Sequence, residues 1–314
     1  MSLPKESNRP HAQYSLVRYV ILFVVLFATV TMGVLWLPLS SPPPQRTTQL
    51  SSALSRPKLA DIPLKLAGSG SNLPLTRLLV QAFLAKHQLP SRHIQLFNSI
   101  GSTGGIHAVT EGAIQLGLLS RSLKPVERNK ALQMYPYAKV AVVLAAHRSV
   151  PARIITEKGL YELYAGQQRL WSNGNQVVVL QRERGDSSHR SVARTFRQFQ
   201  AINQRAYKAR RWRVLYRDQG MQRALLETPG SVGLLDFGLI QLQKLPLRVL
   251  AFKNHHPTLK SLQQGTYPFT KTLRFVSHGP AQGLARKFLR FVYTPQGQGL
   301  IRNNGYLPLP AGGQ

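Results

Sequence analysis

The chain has 314 residues, of which 43% are hydrophobic, so it is long enough for about two ordinary domains with a buried core. Lysine and arginine number 41 against 11 acidic residues, and the formal net charge of +30 favours anionic partners: small oxyanions, nucleic acid, acidic polymers or lipid head groups. The sequence contains no cysteine, which excludes disulfides, thiolate metal sites, cysteine nucleophiles and lipidation on cysteine.

The first predicted element is a membrane helix at residues 19–37. This run carries no charge, and at about 1.5 Å per residue it nearly crosses a hydrocarbon core of about 30 Å. A cleaved signal peptide is the alternative, but the run is long for a secretory segment and no A-x-A site follows it. Because Lys5, Arg9 and Arg18 precede the helix, the positive-inside rule predicts a cytoplasmic tail at residues 1–18. The rest of the chain is then expected outside the cytoplasmic membrane, in the periplasm.

A tether and an α/β domain follow the predicted membrane helix. Residues 38–63 are rich in Pro, Ser, Thr and Gln, which predicts a semi-extended linker without a core. From Leu64, short apolar strands alternate with amphipathic helical stretches, which predicts a β-α-β-α-β opening. This alternation is typical of an α/β fold with a mainly parallel sheet, whose ligands bind beyond the C-terminal ends of the strands.

Two strand-to-helix turns, at residues 68–72 and 101–105, consist almost entirely of Gly, Ser, Thr and Asn. Glycine lets the backbone approach a ligand, hydroxyl groups add donors, and the helix start adds N–H groups and a positive dipole end. Either turn alone can be read as an ordinary capped turn. Two such turns after consecutive parallel strands favour a shared oxyanion site.

A third segment, residues 182–190, has the sequence RERGDSSHR. It follows the apolar strand predicted at residues 177–180 and precedes a helix predicted from about Ser191 to Ala201. Its guanidinium groups can hold a tetrahedral oxyanion through two parallel hydrogen bonds. In a chain this basic, a solvated loop is the alternative interpretation.

From Leu64 onward the sequence resembles the phosphate-binding proteins of phosphate ABC transporters, within the class of periplasmic binding proteins. The segments that carry the resemblance, in shared order, are AGSGSNLP, SIGSTGGI, GLYELYAGQQRLW, RERGDSS, PGSVGLLDFG, YPFTKTLRFV and FLRFVYTPQGQGLIRNNGYLPLP. The resemblance implies a bilobed, Venus-flytrap fold with two α/β lobes and a two-strand hinge, preceded here by one transmembrane helix. Lobe I is expected at residues 64–145 and 270–314, and lobe II at residues 146–269.

The resemblance also implies a site. Asn72 and Leu73 would offer backbone contacts, Ser102 its hydroxyl and N–H, and Arg182 an ion pair with the anion. The expected oxyanion-binding residues are Ser71, Asn72, Leu73, Ser102, Thr103, Ser120, Arg121, Arg182, Asp186, Ser187 and Ser188. The expected ligand is inorganic phosphate or a related oxyanion, and an ABC permease is the expected protein partner. No cofactor, metal or catalysis is expected, since acidic residues are scarce.

Three departures from the family bear on the ligand, and one of them, Arg184 where an acidic residue is expected, raises the local positive charge. The usual Thr of the first loop is Asn72, which can still donate. Ser120 and Arg121 stand where well-studied members place an aspartate that accepts the proton of hydrogen phosphate, which weakens the case for phosphate over sulfate. Arg121 is a candidate second cation, and Asp186 or Glu183 a candidate replacement acceptor.

The alternative function is an interaction protein that holds an acidic polymer, such as polysaccharide or nucleic acid, on its basic surface. Residues 205–217 interleave five arginines and a lysine with three aromatic residues, a pattern that can stack bases. A helix followed by a strand is the favoured interpretation of that stretch, because no nucleic-acid module accompanies it. Binding to a polyanion would fall steeply with salt, whereas an enclosed anion would be less sensitive.

Overall fold

The computed structural model describes residues 62–128, 130–253 and 255–312. No helix within these ranges is long and apolar enough to cross a membrane. The predicted cytoplasmic tail, the predicted membrane helix at residues 19–37 and most of the predicted tether lie outside the described residues.

Strands and helices alternate along most of the described chain. The strands are β1 Leu64–Gly68, β2 Ile94–Ser99, β3 Leu116–Leu119, β4 Leu132–Ala146, β5 Ile154–Ile155, β6 Val178–Arg182, β7 Arg213–Leu215, β8 Ser231–Asp236, β9 Arg248–Phe252, β10 Thr270–His278 and β11 Leu307–Pro308. The α-helices are α1 Leu73–Lys86, α2 Gly101–Thr110, α3 Glu157–Ala165, α4 Ser187–Thr195, α5 Arg197–Lys208, α6 Asp218–Glu227, α7 Phe237–Leu242, α8 Leu259–Gln263, α9 Gly283–Val292 and α10 Pro295–Asn303. The predicted β-α-β-α-β opening is confirmed.

The strands form one connected sheet, in the order β2-β1-β3-β10-β4-β8-β6-β7, with β9 and β11 also paired to β4. Strand β1 pairs in parallel with β2 and β3, and β6 pairs in parallel with β7 and β8. Strands β4 and β10 run antiparallel to each other and to their other neighbours in this order. The sheet is therefore mixed, and the prediction of a mainly parallel sheet holds only for its two ends. The reason is that the chain passes from the first group of parallel strands to the second along β4 and returns along β10, and both of these strands are antiparallel to their neighbours.

Strand β4 is the element common to both ends of the sheet. It has 15 residues, and at about 3.4 Å per residue it extends about 50 Å. Its first part pairs with β10, and its last five residues pair with β8. One continuous strand thus joins the two groups of parallel strands.

The buried apolar side chains form two principal clusters. One cluster draws on residues 64–140 and 273–306, and the other on residues 141–269. We call the parts of the chain built around these clusters lobe I and lobe II, respectively. Along β4 the change from one cluster to the other falls between Val140 and Ala141. The lobe limits expected from the resemblance stay a prediction.

The helix predicted from about Ser191 to Ala201 is replaced by two helices, α4 and α5. Helix α4 begins at Ser187, because the carboxylate of Asp186 accepts the free N–H groups of the first turn. It ends at Thr195, and the next residue, Phe196, has an extended backbone and packs its ring in an aromatic cluster. The ring centroid of Phe196 lies 5.0 Å from that of Phe252 and 5.1 Å from that of Phe269. Tertiary packing therefore overrides the helical pattern at this residue.

Candidate functional site

A cavity of about 580 Å³, which we call the cleft, opens where the carboxyl ends of β1, β2 and β3 of lobe I face those of β6 and β7 of lobe II. Helices α2, α4 and α6 begin at residues that line it, namely Gly101, Ser187 and Asp218. Helix starts present unpaired N–H groups and the positive end of the helix dipole, which attract an anion. The fold therefore brings three such starts to one cavity.

Serine hydroxyl groups from both lobes line the cleft in a connected chain. The Oγ atoms of Ser69 and Ser120 are 2.8 Å apart, and Ser120 Oγ donates to Ser187 Oγ at 3.0 Å. The backbone N–H of Ser120 lies 3.4 Å from Ser102 Oγ. Since Ser187 belongs to lobe II and the other three residues to lobe I, this chain of hydrogen bonds crosses between the lobes.

Arg182, the last residue of β6, is only 5% exposed. Its Nε is 3.4 Å from Asp186 Oδ2, and its Nη2 is 3.7 Å from Asp218 Oδ1. Burial opposes the charge of this side chain, but the two carboxylates outweigh that effect and raise the pKa of Arg182. Its Nη1 is buried and has no hydrogen-bond partner among the described residues. A buried donor of a charged group is costly to leave unpaired, so Nη1 is a site for an acceptor.

Asp186 is committed to its own helix. Its Oδ1 accepts the N–H groups of Ser188 at 2.9 Å and His189 at 3.1 Å, and lies 3.2 Å from His189 Nδ1. Burial raises the pKa of this carboxyl, but the His189 hydrogen bond and the nearby charges, Arg182 among them, outweigh burial and hold it well below its usual range. With Oδ2 facing Arg182, the carboxylate positions the guanidinium and is poorly placed to accept a ligand proton.

The side chain of Arg121 faces a carboxylate. Its Nη1 and Nη2 atoms lie 2.6 Å and 2.7 Å from the two oxygens of Glu127, and Nη2 also donates to Thr103 Oγ1 at 2.9 Å. This bidentate pair neutralises most of the charge that the sequence offered as a second cation. Arg121 therefore contributes more to the shape of the cleft wall than to its charge.

Eight of the eleven predicted residues line the cleft, namely Ser71, Ser102, Thr103, Ser120, Arg121, Arg182, Asp186 and Ser187. The structure places Asn72, Leu73 and Ser188 outside its lining. Asn72 is fully buried, with Nδ2 3.1 Å from Tyr137 Oη, and its N–H donates to the carbonyl of Ser69. Leu73 packs in the lobe I core and Ser188 faces Lys271. In these loops some side chains line the cavity, whereas their neighbours point into the protein interior.

The sequence analysis missed Asp218, which begins α6 and lies between the lobes. A methyl group built on Gly70 of lobe I would come within 1.9 Å of Asp218 Oδ2, so the carboxylate lies directly against the Gly70 backbone. The available signal was an acidic residue directly after the basic stretch at residues 205–217, three residues beyond the end of β7. Lys271 was missed as well, because β10 mixes polar and apolar residues and includes a second cation, Arg274, so nothing in the local pattern marks Lys271 as buried.

The ionisation of Asp186 predicts how stability depends on pH. Because the pKa of this carboxyl is lower in the folded protein than in the unfolded chain, its charge stabilises the fold above about pH 4, and this contribution is lost as the pH falls through the folded-state pKa. We expect Asp186→Asn to lower the free energy of unfolding by about 1–3 kcal/mol at pH 7, and the difference to narrow below about pH 4.

Urea unfolding at pH 7, 5 and 3.5 measures this difference. Glu111→Gln is the matched control, since Glu111 is exposed, and it should change the free energy of unfolding little at any of these values. A difference for Asp186→Asn that stays constant down to pH 3.5 would contradict the assignment.

Comparison with known proteins identifies what this arrangement is similar to. The phosphate-binding protein PstS of Bacillus subtilis (strain 168) is 24% identical over 254 residues, which are 78% of this chain and 80% of that protein. A solved structure from Clostridium perfringens, named as a phosphate ABC transporter substrate-binding protein with bound phosphate, has a TM-score of 0.66 at 18% identity and covers 79% of this chain and 100% of its own.

An ABC-type phosphate transport receptor from Vibrio cholerae has a TM-score of 0.56, also at 18% identity, and covers 79% of this chain and 100% of its own. At these identities the solved structures show the periplasmic-binding-protein fold. The resemblance to phosphate-binding proteins that the sequence motifs carry is confirmed. A family model described as the PBP superfamily domain matches residues 41–296, well over half of the sequence. The chain therefore belongs to the PBP superfamily.

Proposed function

We propose that this protein binds inorganic phosphate, or a similar tetrahedral oxyanion, as the substrate-binding protein of an ABC transporter. The observation that carries the proposal is the buried Nη1 of Arg182, which has no partner among the described residues and belongs to a residue that lines the cleft. An anion oxygen at that position would satisfy the donor and bind a fixed guanidinium. The relatives named for phosphate binding support the same ligand.

The lining of the cleft suits a small anion in its donors and its charge. Three helix starts and a chain of serine hydroxyl groups supply donors without adding net charge. Six cationic residues line the cleft against three acidic ones: Arg121, Lys124, Arg182, Arg184, Arg190 and Arg217 against Glu183, Asp186 and Asp218. Without Arg121, whose charge Glu127 largely neutralises, the cationic residues still number five against three. This balance favours an anion, and the scarcity of free carboxylates leaves little for general acid and base chemistry. Binding without catalysis is the function that these groups serve best.

Lobe closure is the mode of binding that we infer. The donors are divided between the lobes, with Ser102 and Ser120 in lobe I and Arg182 and Ser187 in lobe II. A ligand that contacts both sets lowers the free energy of the closed form relative to an open one. The β4 and β10 strands, which join the lobes, are the segments about which such a movement would occur.

Asp218 is the acceptor that we assign to the proton of hydrogen phosphate. It lies in the cleft, 3.7 Å from Arg182 and against Gly70 of the other lobe. A carboxylate can accept a hydrogen bond from a protonated ligand and repels a fully deprotonated one. Asp218 would thereby supply the phosphate preference that Ser120 and Arg121 do not.

We further infer that the protein acts outside the cytoplasmic membrane and is tethered to it by residues 19–37. The charge-free run and the basic residues before it support this orientation. An ABC permease in the same membrane would then be the partner that receives the ligand.

Isothermal titration of the full-length chain with phosphate, sulfate and arsenate tests the ligand class. We expect saturable heat with phosphate, and an affinity that changes little when the salt concentration is raised tenfold, because the anion is enclosed. Arg182→Gln should weaken binding by about 10- to 100-fold, whereas the exposed Arg92→Gln should leave the affinity unchanged.

An absence of heat with all three anions would end the proposal. Binding of an acidic polymer instead, with an affinity that falls steeply with salt, would favour the interaction-protein alternative.

The role of Asp218 predicts a change in selectivity. Asp218→Asn keeps the size of the side chain but replaces an acceptor-only group, so the ratio of phosphate affinity to sulfate affinity should fall by about tenfold or more. Competition titrations of the two anions measure this ratio. Glu227→Gln, at the far end of the same helix and with its side chain 65% exposed, is the matched control. An unchanged ratio in Asp218→Asn would remove Asp218 from the discrimination.

The tether predicts how the chain partitions between cell fractions. We expect the full-length protein to remain in the membrane fraction after washes with high salt and alkaline carbonate, because a membrane-spanning helix is not released by either. A variant without residues 1–37, exported by an unrelated cleavable signal, should be recovered in the soluble periplasmic fraction. Full-length protein in the soluble fraction would contradict the anchor.

A further inference from the structure

Lys271 is a buried cation at the junction of the two lobes. It lies on β10, is 3% exposed, and pairs in register with Val140 of β4. Val140 belongs to the lobe I core cluster and the next residue, Ala141, to the lobe II cluster. The ammonium group therefore sits where the chain passes from one lobe to the other. It is not among the residues that line the cleft.

The Nζ atom of Lys271 has four oxygen neighbours within hydrogen-bonding distance. It lies 2.6 Å from Asp236 Oδ1, 2.8 Å from Ser71 Oγ, 3.1 Å from Ser188 Oγ and 3.3 Å from Ser187 Oγ. An ammonium group has only three hydrogens to donate, so the hydrogen bond to Ser187, the most distant of the four oxygens, is the weakest. All of these residues except Ser187 are more than nine-tenths buried as whole residues.

The four neighbours come from different parts of the fold. Ser71 lies two residues before α1 in lobe I, Ser187 and Ser188 are the first two residues of α4 in lobe II, and Asp236 ends β8. Ser71 and Ser187 line the cleft, whereas Ser188 and Asp236 do not. The ammonium group of Lys271 thus contacts a cleft loop of each lobe and the carboxylate of Asp236.

The energetics of this pair point to a role other than simple stability. Asp236 is buried, and burial raises its pKa while Lys271 acts against that rise. Removing two charges from water costs several kcal/mol per ion, and their attraction often only offsets that cost. What the pair adds is geometry, because hydrogen bonds to a fixed charge specify distances that apolar packing leaves looser.

We propose that Lys271, held by Asp236, is a positioning residue that sets the spacing between the ligand loops of the two lobes before the anion binds. The inference rests on the proposed function for its consequence, which is that the hydroxyl groups of Ser71 and Ser187 reach the same ligand. A cleft already held at the right width loses less conformational freedom on binding, which raises its affinity. Without the ammonium group the start of α1 and the start of α4 lose their common partner.

The test removes the ion pair between Lys271 and Asp236 without leaving either buried charge unpaired. In the full-length chain, Lys271→Met combined with Asp236→Asn replaces both charges, and Ser188→Ala removes a single hydrogen bond away from the cleft lining and keeps the ion pair. Lys158→Met is the matched control, since the side chain of Lys158 is 87% exposed. Thermal unfolding confirms that each variant is folded.

The distance between the lobes is the first measurement. The chain has no cysteine, so Gln81→Cys on α1 and Gln198→Cys on α5, both exposed, introduce the only two labelling sites for spin labels. Without any anion, pulsed electron resonance should give one narrow distance distribution in the parent protein and in Lys158→Met. The distribution should broaden or shift in the Lys271 double variant, and by less in Ser188→Ala. Identical distributions in all four proteins would overturn the proposal.

Phosphate affinity is the second measurement. We expect it to fall by about tenfold or more in the Lys271 double variant and by less in Ser188→Ala, with no change in Lys158→Met. Unchanged affinity in the double variant would overturn the positioning role. The distance measurement uses no ligand, so the two proposals can fail separately. A parent protein that binds no anion would refute the proposed function alone, and the effect of Lys271 on the spacing of the lobes would still be tested by the distances.

Discussion

The charge of Arg182, held out of water at the end of a buried strand, is the interaction on which the cleft depends. A guanidinium in this position is stable only because carboxylates from two different helix starts, Asp186 and Asp218, lie beside it. Each carboxylate also has a second role, since Asp186 caps the helix that follows the loop and Asp218 reaches across to Gly70. The two carboxylates that hold Arg182 are therefore also structural groups of the cleft. A change to Asp186 alters both the charge beside Arg182 and the start of a helix, and a change to Asp218 alters both that charge and the contact with Gly70.

The two lobes are connected by side-chain contacts as well as by shared strands. Strand β4 contributes to both core clusters, a chain of serine hydroxyl groups crosses the cleft, and Lys271 joins loops from both sides. These contacts differ in strength and in access to solvent. The strand is permanent, whereas the contacts between hydroxyl groups at the cleft can be exchanged for contacts to a ligand. Under the proposed function, the strand would keep the lobes aligned while the hydroxyl contacts would change as an anion enters or leaves.

The local sequence pattern was sufficient to predict the loops that line the cleft. The loops after β1, β2 and β6 were found because glycine, hydroxyl residues and arginine follow an apolar strand and precede a helix, and Arg182 and Ser187 came with them. Features set by distant neighbours were missed. Lys271 and Ser71 are 200 residues apart, and the inward turn of Asn72 depends on Tyr137. The break between α4 and α5 likewise follows from aromatic packing that no helical periodicity encodes. Sequence thus located the loops that line the cleft, whereas the contacts between the lobes required the structure.

The order of the two lobes along the chain has a consequence for how the protein is made. The lobe II cluster comes from one continuous stretch, residues 141–269, but the lobe I cluster needs residues 273–306 as well. In the lobe I sheet, Phe275 of β10 pairs with Leu118 of β3, a contact between residues far apart in sequence that forms slowly. During synthesis lobe II can therefore complete its core first. Until β10 is made, β3 remains an unpaired edge of the lobe I sheet. A chain that ends before β10 keeps that edge exposed, and unpaired edges recruit other strands, so we expect early termination to give an aggregation-prone fragment rather than a smaller folded protein.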